Sequence, residues 1–291
     1  MNVAHDVCID LRATLTSGQA FRWRESAEGI WLGTVERTAI ALRQSPQGAP
    51  RRFEWQTFPT PNQWRVVADY LRLEVPLEDL YADWESVEPS LAEATRRFRG
   101  LRILRQPPQE CFFAFQCATC NTVVKIERSV KKLAERYGEP IETPFGILHA
   151  FPALDALANA DEAVLRGDLW GYRAPRVINL ARHLLAKPPL WLESLREAPY
   201  LEAKAELVAL HGIGAKIADC ICAFCLDKDS ATPVDTHIRQ ITCRLFRPDL
   251  EGKSLTPRVY DEIAREWHSR FGEYAGWAQQ YLFLAEMQGG R

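Results

Sequence analysis

The segment from Leu207 to His237 constrains the fold more than any other part of the chain. It begins L-V-A-L-H-G-I-G-A-K-I-A-D-C, in which a helix-forming run is followed by two glycines and then by apolar residues at helical spacing. Gly212 and Gly214 permit a tight hairpin with positive φ, a conformation that other residues adopt only with strain. The pattern predicts a helix-hairpin-helix.

The same segment brings a lysine and an aspartate to two neighbouring helix starts. Lys216 opens the second helix of the hairpin, and Asp235, in T-P-V-D-T-H, occupies the position of a helix cap. Backbone amides at such a hairpin can hold a phosphate of nucleic acid without a basic side chain. A nucleophilic amine facing a carboxylate is the arrangement needed to attack a sugar and to stabilise the positive charge that develops on it.

Two nucleotide-binding motifs contain similar glycines, and neither fits. The P-loop pattern requires an earlier glycine and a hydroxyl residue after the lysine, where this chain has Ile217. The dinucleotide fingerprint follows a strand and needs a third glycine, whereas a helix precedes these glycines and Ile217 occupies the third position. Taken singly, the glycines could also form an ordinary turn and Lys216 could be a solvated charge.

The two parts of the chain differ in periodicity. Residues 1 to about 58 alternate, as in V-C-I-D-L and I-W-L-G-T-V-E-R-T-A-I-A-L-R, which predicts antiparallel strands, and a helix from Pro61 to Leu73 is expected to back them. Beyond Pro89 the pattern is helical almost throughout. The predicted class is α+β, with an N-terminal antiparallel β-sheet domain with helices over residues 1–89 and a mainly α-helical helix-hairpin-helix domain over residues 90–291.

Composition excludes few classes of protein. The 291 residues are 47% hydrophobic and 25% charged, which is ordinary for a globular protein with a large core. No apolar run approaches the roughly 18 residues of a membrane span, and the N-terminus lacks a signal peptide. These features predict an intracellular protein without a membrane partner, in the bacterial cytoplasm with the nucleoid or, in a eukaryote, in the nucleus.

Charge is unevenly distributed although the formal net charge is only −2. From Arg96 to Arg136 there are ten Lys or Arg against three acidic residues, and from Arg173 to Lys187 there are four against none. Seven acidic residues and no basic ones lie between Glu74 and Glu93. Each segment could be a solvated helix face, but two basic segments flanking the motif region favour a DNA-facing groove.

The eight cysteines include two C-x-x-C pairs, C-A-T-C at Cys117–Cys120 and C-A-F-C at Cys222–Cys225. Both pairs lie in apolar helical stretches without clustered histidine, and about a hundred residues separate them, far more than in a zinc ribbon. We therefore predict buried thiols in a reducing compartment and no metal site.

Five motifs resemble those of one family of enzymes, and they occur in the family's order. They are S-G-Q-A-F-R-W from Ser17, G-Y-R-A from Gly171, G-I-G-A-K-I-A-D-C-I-C from Gly212, P-V-D-T-H from Pro233 and A-G-W-A-Q-Q-Y-L-F from Ala275. The chain resembles the helix-hairpin-helix DNA glycosylases and, among them, the bifunctional 8-oxoguanine DNA glycosylases of the eukaryotic type. This resemblance implies an N-terminal α+β domain and two helical subdomains that flank an active-site cleft.

The resemblance also implies the chemistry. Lys216 would attack C1′ of a nucleotide flipped out of duplex DNA, expel 8-oxoguanine and form a Schiff base, after which β-elimination cuts the strand. Asp235 would stabilise the charge on the sugar. Two alternatives stay open: a glycosylase for another damaged base such as an alkylated purine, and a non-catalytic helix-hairpin-helix module that binds DNA.

Four residues are implied as the pocket for the damaged base. Cys220, one turn from Lys216, would form one wall, and Phe283 would stack on the opposite face of the base. Gln279 would pair with the polar edge, and the carbonyl of Gly18 would accept the proton that only the oxidised base carries at N7. Each has a simpler reading: core packing for Cys220 and Phe283, a surface amide for Gln279 and a turn for Gly18.

Other positions match the family's DNA contacts. The hairpin glycines Gly212 and Gly214 would bind phosphate, as would His237, for which a structural role is the alternative. Tyr172 would be the wedge that is inserted into the duplex, and Arg173 would recognise the base that is left unpaired.

One departure stands out in the family's segment F-x-C-x-x-N-N-N-x-x-R, which is F-Q-C-A-T-C-N-T-V-V-K here. Cys120 replaces an asparagine and Lys125 an arginine, while Asn121 is retained. Lysine lacks the planar fork of arginine, so relaxed selection of the opposite base is expected.

The expected partner is damaged double-stranded DNA, bound by a monomer. Some related glycosylases carry an iron-sulfur cluster near the C-terminus, but no cysteine follows Cys243 here, so neither a cluster nor another cofactor is expected. The one ion that the chain could bind is a structural cation at the hairpin when DNA is bound.

Overall fold

The computed structural model describes residues 1–45, 52–118 and 121–289. A five-stranded antiparallel sheet with the order β1-β5-β4-β3-β2 forms the N-terminal part, as predicted. Its elements are β1 (Asn2–His5), α1 (Leu11–Thr16), β2 (Arg24–Glu25), β3 (Ile30–Val35), β4 (Thr38–Gln44), β5 (Arg52–Phe58) and α2 (Trp64–Tyr70).

Both faces of this sheet are buried because its strands alternate between two apolar clusters. Leu42 of β4 packs on one face with Val67 and the adjoining Leu71, so α2 backs the sheet as predicted. Leu32 of β3 lies on the other face and packs with Leu148. The two-sided burial explains why every residue of β3 is buried.

One predicted strand is wrong. The run V-C-I-D-L forms no strand, and Leu11 instead begins α1. Asp10 caps this helix, since its side chain accepts a hydrogen bond from the backbone N of Ala13 at 2.8 Å. An aspartate at a helix start stabilises the helix by about 1 kcal/mol, which here outweighs a short alternation of apolar residues.

The rest of the chain is mainly helical, as predicted. Its helices are α3 (Leu77–Val87), α4 (Pro89–Arg97), α5 (Pro108–Gln116), α6 (Val123–Tyr137), α7 (Leu154–Ala158), α8 (Glu162–Leu165), α9 (Ala174–Leu185), α10 (Trp191–Ser194), α11 (Tyr200–Val208), α12 (Ala215–Cys225), α13 (Thr236–Leu245), α14 (Pro257–Phe271) and α15 (Ala275–Gly289). Short π or 3-10 turns occupy Arg166–Trp170, Gly171–Arg173, Pro248–Leu250 and Gly272–Tyr274.

A β-hairpin interrupts the helices and was not predicted. It consists of β6 (Pro140–Thr143) and β7 (Gly146–His149), which pair antiparallel. Strands of four residues are too short to show a clear alternation. The hairpin packs through Phe145 and Leu148 against the sheet, so it joins the helical part to the N-terminal part.

The predicted boundary between residues 89 and 90 falls at the start of α4 and stays a prediction. Tyr81 and Trp84 of α3, which precede it, belong to the same core as the later helices. The hydroxyl of Tyr81 lies 2.8 Å from that of Tyr281 in α15. The first helices thus pack continuously with the last one.

Helix α12 lies at the centre of the helical part. Its residues from Ile217 to Cys225 are all buried, and it packs between α5 and α11. A helix that is apolar on all sides requires neighbours on all sides. This explains the cysteines of α12, because Cys222 and Cys225 are small apolar side chains in a crowded core.

The loop between α12 and α13 is anchored to both ends of the chain. Arg72 binds Asp229 with both terminal nitrogens, at 2.5 and 2.9 Å. The indole of Trp277 donates a hydrogen bond to the same carboxylate at 2.8 Å, and the backbone N of Gly276 donates to the carbonyl of Asp229 at 2.8 Å. The loop is therefore held by a buried arginine and by the start of α15.

Gly276→Ala should displace this loop. A Cβ at Gly276 would lie 2.4 Å from the carbonyl oxygen of Ala231 and 2.7 Å from that of Asp229, both of them rigid backbone atoms. We expect a loss of about 1–3 kcal/mol in the free energy of unfolding, measured by denaturant titration.

The matched control is Gly289→Ala on the same helix, where a Cβ would meet nothing within 4 Å. Equal stability of the two alanine variants would show that the loop is not pinned at Gly276.

Candidate active site

Six of the predicted site residues line a single cavity of about 50 Å³. They come from the turn after α1, from α12, from the start of α13 and from α15: Gly18, Lys216, Cys220, Asp235, Gln279 and Phe283. The structure therefore brings together residues that lie more than 260 positions apart in the sequence.

Lys216 is the second residue of α12 and is half-buried. Its Nζ lies 5.6 Å from the centre of the Phe115 ring, which forms another wall of the cavity. Burial raises the pKa of the neighbouring Cys220 thiol to about 11, although the Lys216 amine acts in the opposite direction. The thiol is therefore neutral near pH 7 and gives the amine no anionic partner.

Asp235 is the N-cap of α13, as predicted. Its backbone is extended, with φ −108° and ψ −170°, and Oδ1 accepts a hydrogen bond from the backbone N of Ile238 at 2.9 Å. This bond fixes the side chain at a helix start that also borders the cavity. The carboxylate lies within the same small space as Lys216.

Gly18 lies in a turn that Gln19 holds rigidly. Gly18 has φ +80°, which only glycine adopts without strain. The fully buried Gln19 amide donates to the carbonyls of Thr14 and Arg102, at 2.9 and 2.8 Å, and its Oε1 accepts from the backbone N of Leu104 at 2.8 Å. The backbone at Gly18 is thus presented to the cavity by a fixed turn.

Two adjacent glutamines of α15 serve the cavity differently. Gln280 donates a hydrogen bond from Nε2 to the carbonyl of Ser17 at 2.9 Å, which ties α15 to the Gly18 turn. Gln279 is 4% exposed, and its Nε2 has no hydrogen-bond partner among the described residues. A buried amide donor without a partner is costly, so Gln279 is suited to pair with a polar ligand in the cavity.

The cavity is too small for a purine as it stands. An engineered protein cavity that holds benzene, a smaller ring system than a purine, has about 150 Å³, and this cavity has about 50 Å³. Phe283 is the wall best placed to move, since it is half-buried and packs edge-on against His237 at 6.0 Å. The predicted phosphate contact His237 thus lies at the margin of the pocket.

The hairpin before α12 partly differs from its prediction. Gly212 has φ +84°, as expected, but Gly214 has φ −92° and ψ 171°, so its predicted positive φ is wrong. Gly214 is the N-cap of α12, a position that requires extended backbone. A Cβ there would meet nothing within 4 Å, which leaves open space in front of the first amides of the helix.

The predicted DNA contacts outside the pocket lie on two neighbouring elements. Tyr172 is 59% exposed, whereas Arg173 is buried with its guanidinium 4.4 Å from the Tyr172 ring centre. Asn121 precedes α6 and accepts a hydrogen bond from the backbone N of Thr122, and Lys125 is exposed in the first turn of α6. Cys120 lies outside the described residues.

A second set of contacts supports α12, the helix that carries Lys216, and was not predicted. Asp219, one turn after Lys216, is fully buried and accepts hydrogen bonds from Tyr200 at 2.6 Å, Tyr260 at 2.6 Å and Lys204 at 2.8 Å. Burial raises the pKa of Asp219, and the Lys204 ammonium opposes that shift. Three donors satisfy a carboxylate that would otherwise be very costly to bury.

Tyr260 links this cluster to the loop that leads into Asp235. While its hydroxyl donates to Asp219, its oxygen accepts a hydrogen bond from the backbone N of Val234 at 3.2 Å. Val234 directly precedes Asp235. One side chain of α14 therefore connects the helix that carries Lys216 with the residue before Asp235. No short-range pattern in the sequence indicates this link, nor the position of Phe115.

Family comparisons agree with this arrangement. A model described as the 8-oxoguanine DNA glycosylase N-terminal domain matches residues 3–112, and one described as the HhH-GPD superfamily base excision DNA repair protein matches residues 119–266. The N-glycosylase/DNA lyase OGG1 of Arabidopsis thaliana is 37% identical over 286 residues, which cover 96% of this chain and 78% of that protein. The chain belongs to the 8-oxoguanine DNA glycosylase family.

Other members of the 8-oxoguanine DNA glycosylase family are also similar. An N-glycosylase/DNA lyase of Saccharomyces cerevisiae is 29% identical, over 96% of this chain and 84% of its own. The structure of MBOgg1 with a low-affinity DNA ligand superposes with a TM-score of 0.88 at 25% identity, over 99% of this chain and 96% of that one. The apo-form structure of the 8-oxoguanine glycosylase/lyase of Clostridium acetobutylicum superposes with a TM-score of 0.83 at 26% sequence identity. The match covers 95% of this chain and 92% of that one. The predicted family and fold are confirmed.

No helix in the described part of the chain is both long and apolar enough to cross a membrane. Within the same residues, no group of three or more His, Cys, Asp or Glu side chains could hold a metal ion.

Tyr260→Phe should slow catalysis as well as lower stability. It removes a donor to buried Asp219 and leaves the Val234 amide without its acceptor, at a cost of about 1–3 kcal/mol. We expect the single-turnover rate at saturating lesion DNA to fall by about tenfold, because the backbone that leads into Asp235 loses one of its anchors.

Tyr200→Phe is the matched control, since Tyr200 donates to Asp219 but does not contact Val234. If both variants lost stability yet retained equal rates, the link through Tyr260 would have no part in positioning Asp235.

Proposed function

We propose that this protein excises 8-oxoguanine from duplex DNA and then cuts the strand as a lyase. The observation that carries the proposal is the shared cavity, in which an amine, a carboxylate, an unpartnered buried amide and a glycine turn face one another. The curated relatives in plants and yeast are named N-glycosylase/DNA lyase, which supports the same activity.

The reaction follows from the positions of Lys216 and Asp235. The lone pair of Lys216 Nζ forms a bond to C1′ as the bond between C1′ and the base breaks, and the base leaves with the electron pair and takes up a proton. The bond between C1′ and O4′ then breaks, O4′ keeps the electron pair and takes up the proton that Nζ loses, and the opened sugar is joined to Nζ as a Schiff base. Loss of a proton from C2′ and rupture of the C3′–O bond complete β-elimination, 3′ to the lesion.

The carboxylate of Asp235 acts on charge. Positive charge develops on the sugar as the base departs, and a fixed anion in a site that excludes water stabilises it more strongly than one in solvent. The hydrogen bond from Ile238 holds the carboxylate in place without neutralising it. Asp235 therefore needs no proton transfer to contribute.

Gln279 and Gly18 provide recognition of the base. The Gln279 amide offers two donors and an acceptor to the polar edge of a purine, and the Gly18 carbonyl accepts the N7 proton of 8-oxoguanine. Cys220 and Phe283 enclose the two faces of the ring. Lys216 and Gln279 argue against a glycosylase for alkylated purines, because an alkylated purine leaves the sugar readily without an amine nucleophile.

The protein acts as a monomer on damaged double-stranded DNA, in the compartment that holds the genome of its cell, without an iron-sulfur cluster. Main-chain oxygens are suitable ligands for a cation at the hairpin when DNA is bound, and the Leu210 carbonyl there accepts one hydrogen bond, from Ile213, which leaves a lone pair.

Lys216→Gln should abolish base release and borohydride cross-linking while leaving lesion-DNA binding largely intact. The substitution removes the nucleophile, but the hairpin amides that hold phosphate are unchanged. The measurement is trapping with borohydride on an 8-oxoguanine duplex, with binding followed by gel shift.

Asp235→Asn is the companion variant, because it keeps the amine and the helix cap but removes the charge. It should still form the cross-link, with base release slowed about 100-fold. If Lys216→Gln formed as much cross-link as the unsubstituted protein, a different amine would be the nucleophile and the proposed role of Lys216 would be overturned.

We also expect 8-oxoguanine to be excised opposite all four bases, with a preference for cytosine about tenfold weaker than in relatives that carry asparagine and arginine at positions 120 and 125. A good bidentate contact to a base discriminates by roughly 1–3 kcal/mol, and Lys125 cannot form one. Single-turnover rates opposite C, A, G and T measure the preference.

The double substitution Cys120→Asn plus Lys125→Arg tests the cause and should restore selection for cytosine. Strong cytosine selectivity that is the same with and without the two substitutions would show that these positions do not read the opposite base.

A further inference from the structure

A second groove, of about 480 Å³, lies beside the hairpin and outside the base pocket. It runs between the start of α9, which follows the exposed Tyr172, and the hairpin before α12. Its described lining residues are Tyr172, Pro175, Arg176, Asn179, Leu180, His183, Leu210 and His211, and none of these is acidic.

Arg176 lies directly across the hairpin. A Cβ on Gly212 would be 2.9 Å from Nε and 3.2 Å from Cζ of Arg176, so the side chain rests against the bare backbone of the glycine. The close packing is possible because Gly212 has no side chain. The guanidinium is thereby held against the turn that leads into α12.

Arg176 is half-buried, and within the described part of the chain it forms no ion pair or hydrogen bond. Arg182, the other arginine of α9, differs, since it donates a hydrogen bond to the carbonyl of Ala158 at 3.0 Å. A partly desolvated cation without an anion loses hydration and gains nothing in return. This arrangement favours an anionic ligand that the protein does not itself supply.

The surroundings identify the class of anion. His183, His211 and Asn179 offer further donors along the groove. Backbone amides of the kind found at the hairpin, on one side of the groove, are able to bind phosphate. Tyr172 projects into solvent at the other side. A single free phosphate would occupy little of such a groove, whereas a phosphodiester backbone could follow its whole length.

We propose that Arg176 binds a backbone phosphate of the DNA duplex in this groove, next to the phosphate held by the hairpin amides. The assignment rests on the proposed function, because it requires duplex DNA as the substrate. A contact to phosphate carries no sequence information, so Arg176 contributes to affinity for damaged and undamaged duplex alike.

The test measures the salt dependence of duplex binding. In a Lys216→Gln background, which prevents turnover, Kd is determined for a lesion duplex and for its undamaged counterpart between about 50 and 200 mM salt. Arg176→Gln removes the charge and keeps bulk over Gly212. We expect the slope of log K against log salt to fall by about 0.9, with both duplexes bound about tenfold more weakly.

Two variants serve as controls. Arg176→Lys retains the positive charge and should retain most of the slope. Arg37→Ala removes an equal charge from the N-terminal part, where Arg37 is exposed and pairs with Glu139. This variant should leave the slope unchanged.

An unchanged slope in Arg176→Gln would overturn the proposal, and so would a loss of affinity confined to the lesion duplex. Failure of the proposed function would be seen separately, as the absence of a borohydride-trapped complex with the otherwise unmodified protein.

Discussion

The buried ion pair between Arg72 and Asp229 is the interaction on which the active site depends. Arg72 is 5% exposed and adopts φ +49°, a strained conformation for a residue with a side chain. Its bidentate bond fixes the loop that leads from α12 to Asp235. Removing one partner of such a pair leaves a buried charge, at a cost of about 3–5 kcal/mol.

A second arginine, Arg105 in the segment between α4 and α5, reinforces the same loop. The Nε of Arg105 binds Asp227 at 2.9 Å, and its other nitrogens pair with Asp69 and Glu74. Isolated ion pairs at the surface contribute little, but a network around one guanidinium is stronger. The N-terminal part therefore helps to shape the cavity, since Arg72 holds the loop, Gly18 lines the cavity and the carbonyl of Ser17 accepts a hydrogen bond from Gln280 of α15.

Local patterns in the sequence were sufficient to predict the helix starts of the site. Glycine spacing placed Lys216 and cap chemistry placed Asp235, because both depend on residues within a few positions. The convergence of Gly18, Gln279 and Phe283 on Lys216 does not follow from local patterns, and only the resemblance to a known family indicated it. Tyr260 was missed for the same reason, since its partners lie far away in the sequence.

Errors in the predicted fold have equally local causes. The hairpin β6–β7 has strands too short to show alternation, and V-C-I-D-L alternates only up to an aspartate that caps a helix. Gly214 was assigned a positive φ because glycine permits one, but a helix cap requires extended backbone. Gly214 is therefore not needed for its backbone conformation, which any residue can adopt. A Cβ there would contact no protein atom within 4 Å, so the space that glycine leaves open is available to a bound ligand.

A net charge of −2 is compatible with DNA binding because the contacts are local. Backbone amides at the hairpin attract phosphate whatever the overall charge, and screening limits an exposed charge to about 8 Å at physiological salt. The acidic residues from Glu74 to Glu93 oppose binding only if they lie within that range of the duplex, and two of them pair with arginine, Glu74 with Arg105 and Glu78 with Arg99. What a near-neutral chain lacks is long-range steering, so its association rate should depend less on ionic strength than its affinity does. The phosphate contacts at the hairpin and α9 would then act mainly after encounter, by slowing dissociation.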